Sequence, residues 1–147
     1  MTTDWQALSA TSPYQTALAV RKALREGDQA EAVTGLDELI DAMSRSDKRA
    51  LKSQLTRLMM HIIKWHSQPE RRSLSWVASI ANARDEIADI RDETPSLNEP
   101  VIQAIWPRAF SMALREAEAE IGRRSPVQAL SWDEVFESEY RLDEAGE

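Results

Sequence analysis

The residues best suited to chemistry are His61, His66 and Arg84. A histidine can bind a metal or transfer a proton near neutral pH, and an arginine can hold an anion through its planar guanidinium. His61 and His66 are separated by roughly 140° around a helix, so a regular helix cannot direct both at one ion. A metal would need ligands from other helices. The spacing therefore favours structural histidines, and no metal site is predicted.

Arg84 lies inside the apolar stripe of its predicted helix, beside Ile80. A guanidinium in that position must reach water along its own stem or be met by a carboxylate or several carbonyls, because an unpaired buried charge is costly. Asp37 is the carboxylate that best fits as a partner. The functional alternative is an anion-binding arginine in an interhelical pocket, together with His61 and Lys64.

The sequence contains no nucleotide-binding, serine-hydrolase or zinc-protease signature, so no catalytic residue and no cofactor is predicted. Glu116 and Glu120 are four residues apart on one helix, but a di-metal bundle site needs Glu-x-x-His elements, which are absent. Two functional hypotheses follow. The favoured one is a non-enzymatic helical module for interaction or oligomerisation. The alternative is an enzyme or small-anion binder that uses His61, Lys64 and Arg84.

Helical periodicity extends through nearly the whole chain. It predicts an all-α, single-domain bundle over residues 1–147, with about five main helices, mostly antiparallel, and a short C-terminal helix. The acidic tail 143–147 is expected to be frayed. Caps and breakers set the predicted boundaries: Asp4, Ser12-Pro13, Gly27, Asp28, a turn at 44–47, Pro69, Ser73 or Ser75, Thr94-Pro95-Ser96, Asn98 or Ser96, Gly122 and a capping box at Ser131.

Apolar stripes at intervals of three and four residues mark the faces expected to form the core. Pro107 interrupts the fifth of these helices and is expected to kink or break it. Trp65 and Trp76 are expected to be largely buried, and His66 is expected on the core side. The stripes are Val33, Leu36, Ile40 and Met43, with Leu39 at the margin; Leu51, Leu55, Leu58, Ile62 and Trp65; Trp76, Ile80, Ala83, Ile87 and Ile90; and Ile102, Trp106, Ala109, Phe110, Ala113, Ala117 and Ile121.

The net charge of −7 disfavours nucleic acid as a partner, since phosphate binding needs positive surface. Residues 45–72 carry eight Lys or Arg against two acids, so this basic segment could still meet an acidic partner. A protein partner, another copy or a different protein, fits the charge better. With no cysteine, no signal peptide at the N-terminus and no apolar run that could span a membrane, a cytoplasmic protein is expected.

Several runs of sequence resemble a bacterial family known as domain of unknown function 29: GLDELIDAMSRSDKR, HIIKWHSQPERR, SLSWVASIANARDEI and TPSL. The resemblance covers roughly residues 14–140. It implies a compact all-helical bacterial protein and brings no assigned activity. The matching positions are His61, Lys64, Trp65, Ser75, Trp76, Arg84, Pro95, Ser96 and Leu97.

The chain departs from the family at one place. Where the family tends to show Glu-Glu-Ile-Glu, this chain has Glu38-Leu39-Ile40-Asp41. Position 39 is the one nearest the apolar stripe, so a carboxylate that the family would direct inward is leucine here. The substitution argues against acid chemistry at that position.

Overall fold

The computed structural model describes residues 3–142, and within that range it contains helices and no strand. The helices are α1 (Trp5–Thr11), α2 (Pro13–Arg25), α3 (Gln29–Ser67), α4 (Leu74–Glu93), α5 (Glu99–Ile121) and α6 (Trp132–Phe136), with a short 3-10 turn at Pro69–Arg71. The predicted all-α bundle is confirmed. The expectation for the tail 143–147 lies outside the described residues.

Contacts between residues divide the chain into two compact units, residues 1–48 and 49–147. The first unit holds α1, α2 and the N-terminal part of α3, and the second holds the rest of α3 together with α4, α5 and α6. That the whole of 1–147 is a single domain stays a prediction. Each unit has its own buried cluster and is described by itself.

The predicted helix starts are confirmed by side chains that accept hydrogen bonds from first-turn amides. Gly27 (φ +78°) follows α2 in a left-handed conformation. There the amides of Gly27 and Asp28 donate to the carbonyls of Leu24 and Ala23, which is a Schellman motif. The capping side chains are Asp4, Ser12, Asp28, Ser73, Asn98 and Ser131, the last within a complete capping box.

The predicted turn at residues 44–47 is wrong, because α3 continues through it as one helix of 39 residues. Ser44, Ser46 and Asp47 each cost only a few tenths of a kcal/mol in a helix, whereas glycine and proline cost about 1 and about 3 kcal/mol. No glycine or proline occurs between Gly35 and Pro69. Nothing in the local sequence is therefore strong enough to end the helix before Pro69.

The core of the second unit confirms the stripes predicted there. Leu51, Leu55, Leu58 and Ile62 of α3 are fully buried, and Trp65 nearly so. They cluster with the predicted residues of α4 and α5: Ile80, Ala83, Ile87, Ile102, Ala109, Ala113 and Ala117. Trp76 is partly buried and packs against this cluster. His66 is exposed rather than on the core side.

Pro107 lies inside α5 without ending it, so the prediction of a break is wrong. A proline deprives the carbonyl four residues earlier, here that of Gln103, of its helical partner. Both Pro107 and Gln103 are exposed, so water can satisfy this carbonyl. The helix therefore loses one hydrogen bond rather than its continuity.

The first unit has a smaller buried cluster built around Trp5, with Val20, Ala23 and Ala32. The indole nitrogen of Trp5 donates to Oε1 of Glu31 at 3.0 Å. Gly35 faces the same indole so closely that a Cβ there would lie 2.5 Å from a ring carbon. The small residues of α3 thus leave the space that the Trp5 ring occupies.

No helix among the described residues is both long enough and apolar enough to cross a membrane.

Candidate functional site

His61 and Lys64 lie at a polar edge of the second unit, near the end of α3. The Lys64 ammonium contacts Oε1 of Glu120 at 3.0 Å and lies 4.9 Å from the centroid of the Trp76 ring. Nδ1 of His61 is 3.0 Å from the carbonyl oxygen of Arg57, one turn earlier. Burial is the main cause that lowers the pKa of His61. At this edge the Lys64 ammonium is thus bound by the Glu120 carboxylate and by the face of the Trp76 ring.

Arg84 serves a different part of the second unit. Its Nε donates to the carbonyl of Val135 at 2.8 Å, and its Nη2 lies 3.4 Å from the carbonyl of Glu134. The guanidinium also lies 5.5 Å from the centroid of the Tyr140 ring. Arg84 is thus met by carbonyls, one of the two kinds of partner expected. Asp37 is exposed and is not its partner.

Tyr140 and His66 complete the contacts that hold α6. The Tyr140 hydroxyl donates to the carbonyl of Glu134 at 2.6 Å, and its ring packs edge-on against Trp65 at 5.6 Å. Nε2 of His66 lies 3.5 Å from Oε2 of Glu134. We call Arg84, His66 and Tyr140 the α6 clamp, because each contacts Glu134 or its neighbour Val135. These contacts fix the short helix α6 in place.

Two further arginines satisfy the C-terminal carbonyls of α3, which have no helical partner. Arg72 Nε donates to the carbonyl of Trp65 at 2.9 Å, and its guanidinium lies 4.7 Å from the Trp65 ring centroid. Arg123 Nη2 donates to the carbonyl of Ser67 at 3.0 Å. The role of these two arginines was not predicted from the sequence, although positive charge near a helix C-terminus is a general signal.

The predicted binding residues therefore fall into two groups. His61 and Lys64 share one edge, where Glu120 is the nearby acid. The acidic side chains near Arg84 are those of Asp133 and Glu137. Among the described residues, no group of three or more His, Asp or Glu could hold a metal ion. That His61, Lys64 and Arg84 bind a ligand stays a prediction.

The first unit carries a line of large apolar side chains that folding leaves exposed. Four large apolar side chains of α3 that were expected in the core are exposed: Val33 by 53%, Leu36 by 45%, Ile40 by 54% and Met43 by 50%. We call these four residues the α3 stripe. The expectation was wrong because periodicity shows that a face is apolar and does not show what covers it.

The buried residues of α3 in the first unit lie on the face next to the α3 stripe. Ala32 packs in the Trp5 cluster, Gly35 lies against the Trp5 ring, and Leu39 is buried. These three positions repeat at three and four residues along the neighbouring face of the same helix. The departure noted at position 39 therefore supplies a buried leucine where the related pattern has an acid. One helix thus has two apolar faces, of which one is covered.

The family model described as domain of unknown function DUF29 matches residues 14–144 of the chain. The chain belongs to this family. No curated protein matches it, and no solved structure matches it. In this DUF29 member, the motif residues Trp65 and Leu97 are buried, and the carbonyl of Leu97 accepts from Arg91, whereas Ser75 and Pro95 are exposed.

Replacing Arg84 with methionine is expected to lower the unfolding free energy by about 2 kcal/mol, because the hydrogen bonds from a charged donor to α6 are lost. Urea unfolding measures the loss. Arg108→Met, at an exposed arginine of α5, is the matched control and should be neutral. Adding Asp37→Asn to Arg84→Met should restore nothing. Stability restored by Asp37→Asn would show that Arg84 pairs with Asp37 instead of with the carbonyls of Glu134 and Val135.

Burial raises the pKa of Tyr140 to about 12 from its usual 10.0. The folded protein therefore holds this proton more tightly than the unfolded chain does. The corresponding stability is complete below pH 10 and is lost as the pH rises towards 12. In a Tyr14→Phe background, which leaves one tyrosine, tyrosinate absorbance should rise only near the upper value. A transition near 10 in the folded protein would contradict the buried environment.

Proposed function

We propose that this protein is a binding module that docks a helix of a partner protein on the α3 stripe. The observation that carries the proposal is the exposure of four large apolar side chains in one line along a single helix face. Scattered exposed apolar residues are normal, but a contiguous apolar patch is typical of an interaction surface. Spacing of three, four and three residues is what a second helix packs against.

Covering the α3 stripe contributes favourably to association. Covering the exposed half of each stripe residue is worth about 1 kcal/mol, so the four together contribute about 4 kcal/mol before the costs of association. Leu24 of α2 is exposed as well and belongs to the same unit. The main support for a docking role is therefore the geometry of the stripe.

The alternative of an anion-binding or catalytic pocket has less support. His61 and Lys64 have contacts separate from those of Arg84, and Arg84 and Lys64 already bind carbonyls and Glu120. A ligand would have to share these side chains with their present partners. The same residues are accounted for as parts of the fold.

The family resemblance and the cysteine-free sequence support placing the protein in the bacterial cytoplasm as part of this proposal. The net charge of −7 supports a protein rather than a nucleic acid as its partner.

A matched pair of substitutions on α3 tests whether the stripe is a free surface. Ile40→Glu, at an exposed position, should change the unfolding free energy of dilute protein by no more than about 0.5 kcal/mol. Ala32→Glu, at a position 3% exposed, should cost about 3 kcal/mol, because it places a carboxylate against the Trp5 cluster. Urea unfolding followed by circular dichroism gives both values. Equal losses would mean that the stripe belongs to the core.

A further inference from the structure

The flanks of the α3 stripe differ in character. On one side lie the buried positions Ala32 and Gly35, next to Trp5. On the other side lie Asp37 and Asp41, both exposed. At about 100° per residue, Asp37 is roughly 80° and Asp41 roughly 120° from the centre of the stripe. One open edge of the apolar surface is therefore lined by carboxylates.

No positive charge of α3 offsets these acids near the stripe. Residues 29–44 contain Glu31, Asp37, Glu38 and Asp41 and no Lys or Arg. The first basic residue of α3 is Arg45, beyond the last stripe residue, Met43. Asp37 and Asp41 are therefore the charges of α3 nearest to a partner helix that lies on the stripe.

A second copy of this chain is a poor match for that surface. In an antiparallel pair aligned over the centre of the stripe, the two Asp37 side chains come to the same edge of the contact. In a parallel pair the acids lie on opposite edges of the contact, where residues 29–44 of the other copy offer no Lys or Arg. Like charges at such short range oppose association.

We infer that the partner is a basic amphipathic helix, with apolar residues at three- and four-residue spacing and Lys or Arg beside them. This inference rests on the proposed docking role of the α3 stripe and names its partner by chemistry. The apolar residues of such a helix cover Val33, Leu36, Ile40 and Met43. Its basic residues pair with Asp37 and Asp41 at the open edge.

Two synthetic peptide helices with identical leucine positions test the inference, one with lysine at the flanking positions and the other with glutamate. The lysine peptide should bind the full chain at least about fivefold more tightly, as two exposed ion pairs of about 0.5 kcal/mol each imply. Raising the salt concentration should reduce the difference. Fluorescence anisotropy of labelled peptides measures both affinities.

Substitutions in the protein separate the apolar contribution from the charged one. Leu36→Gln should weaken both peptides, whereas Leu74→Gln, at an isolated exposed leucine of α4 that is 73% exposed, should weaken neither. The double variant Asp37→Lys with Asp41→Lys should invert the preference between the peptides. Unchanged circular dichroism is required of every variant, and the inverted preference cannot come from misfolding.

Other outcomes overturn the inference. Equal or tighter binding of the glutamate peptide, or no binding of either peptide, would rule out a basic helix as the partner. Sedimentation that shows a dimer dissociated by Leu36→Gln would assign the stripe to a second copy. In these cases the proposed docking role still stands if Ile40→Glu leaves stability unchanged. The docking role itself fails when Ile40→Glu and Ala32→Glu destabilise the protein equally.

Discussion

Replacing Trp65 with alanine is expected to lower the unfolding free energy by about 3–5 kcal/mol, the largest loss predicted for this protein. Trp65 is 5% exposed and lies in the main cluster of the second unit. Its ring packs edge-on against Tyr140 and underlies the Arg72 guanidinium. Truncation therefore leaves a cavity and removes a surface on which two other side chains rest. Urea unfolding gives the value.

Trp76→Ala is the matched control, since it removes the same atoms from the helix across the Pro69–Arg71 turn. Trp76 is partly buried, and the Lys64 ammonium lies over its ring. We expect a smaller loss of about 2 kcal/mol, because part of the Trp76 side chain already contacts water in the folded protein. Equal losses for the two variants would contradict the difference in burial.

Replacing Gly35 with alanine is expected to destabilise the first unit by about 1–2 kcal/mol, although alanine is the better helix former. The new Cβ would lie 2.5–2.7 Å from three carbons of the Trp5 ring. Overpacking of this kind costs about 1–3 kcal/mol, more than the gain of up to about 1 kcal/mol in helix propensity. Urea unfolding, followed by helix content, measures the net effect.

The double variant isolates the clash. When Trp5→Ala has removed the ring, Gly35→Ala should become stabilising, because only the propensity gain remains. The sign of the Gly35→Ala effect thus reverses with the residue at position 5. A substitution that stabilises the protein in both backgrounds would show that Trp5 does not lie on Gly35.

Much of the second unit could be predicted from the sequence because its signals are local. The stripe from Leu51 to Trp65 is buried as expected, and Pro69 ends α3. The caps are equally local, since a side chain such as Ser12 contacts an amide only three residues away. A regular backbone makes such contacts inevitable once the residue types are present.

The contacts of the candidate site could not be predicted, because they join residues far apart in the chain. Arg84 could be assigned to a carboxylate or to carbonyls, and only the fold brings Val135 to it. The turn at residues 44–47 was predicted from residues that favour a cap but do not forbid a helix. The fold decided the first, and the absence of a glycine or proline near residues 44–47 decided the second.

The α3 stripe shows the limit of periodicity most clearly. Ile40 and Leu39 are adjacent apolar residues, and the sequence favoured Ile40 for the core and Leu39 for its margin. The structure buries Leu39 and exposes Ile40, because Trp5 is accommodated by the small residues Ala32 and Gly35. Large side chains formed the stronger periodic pattern in the sequence, whereas the small side chains at Ala32 and Gly35 allowed the closer packing against Trp5.

The most direct test of a docking face on α3 is hydrogen exchange of the full chain, with and without the lysine-flanked peptide helix. The α3 stripe should be the footprint: amides of residues 33–43 gain protection at saturating peptide, while those of residues 51–65, whose apolar face is already buried, do not change. Protection that rises equally in both segments, or only in residues 51–65, would contradict the account.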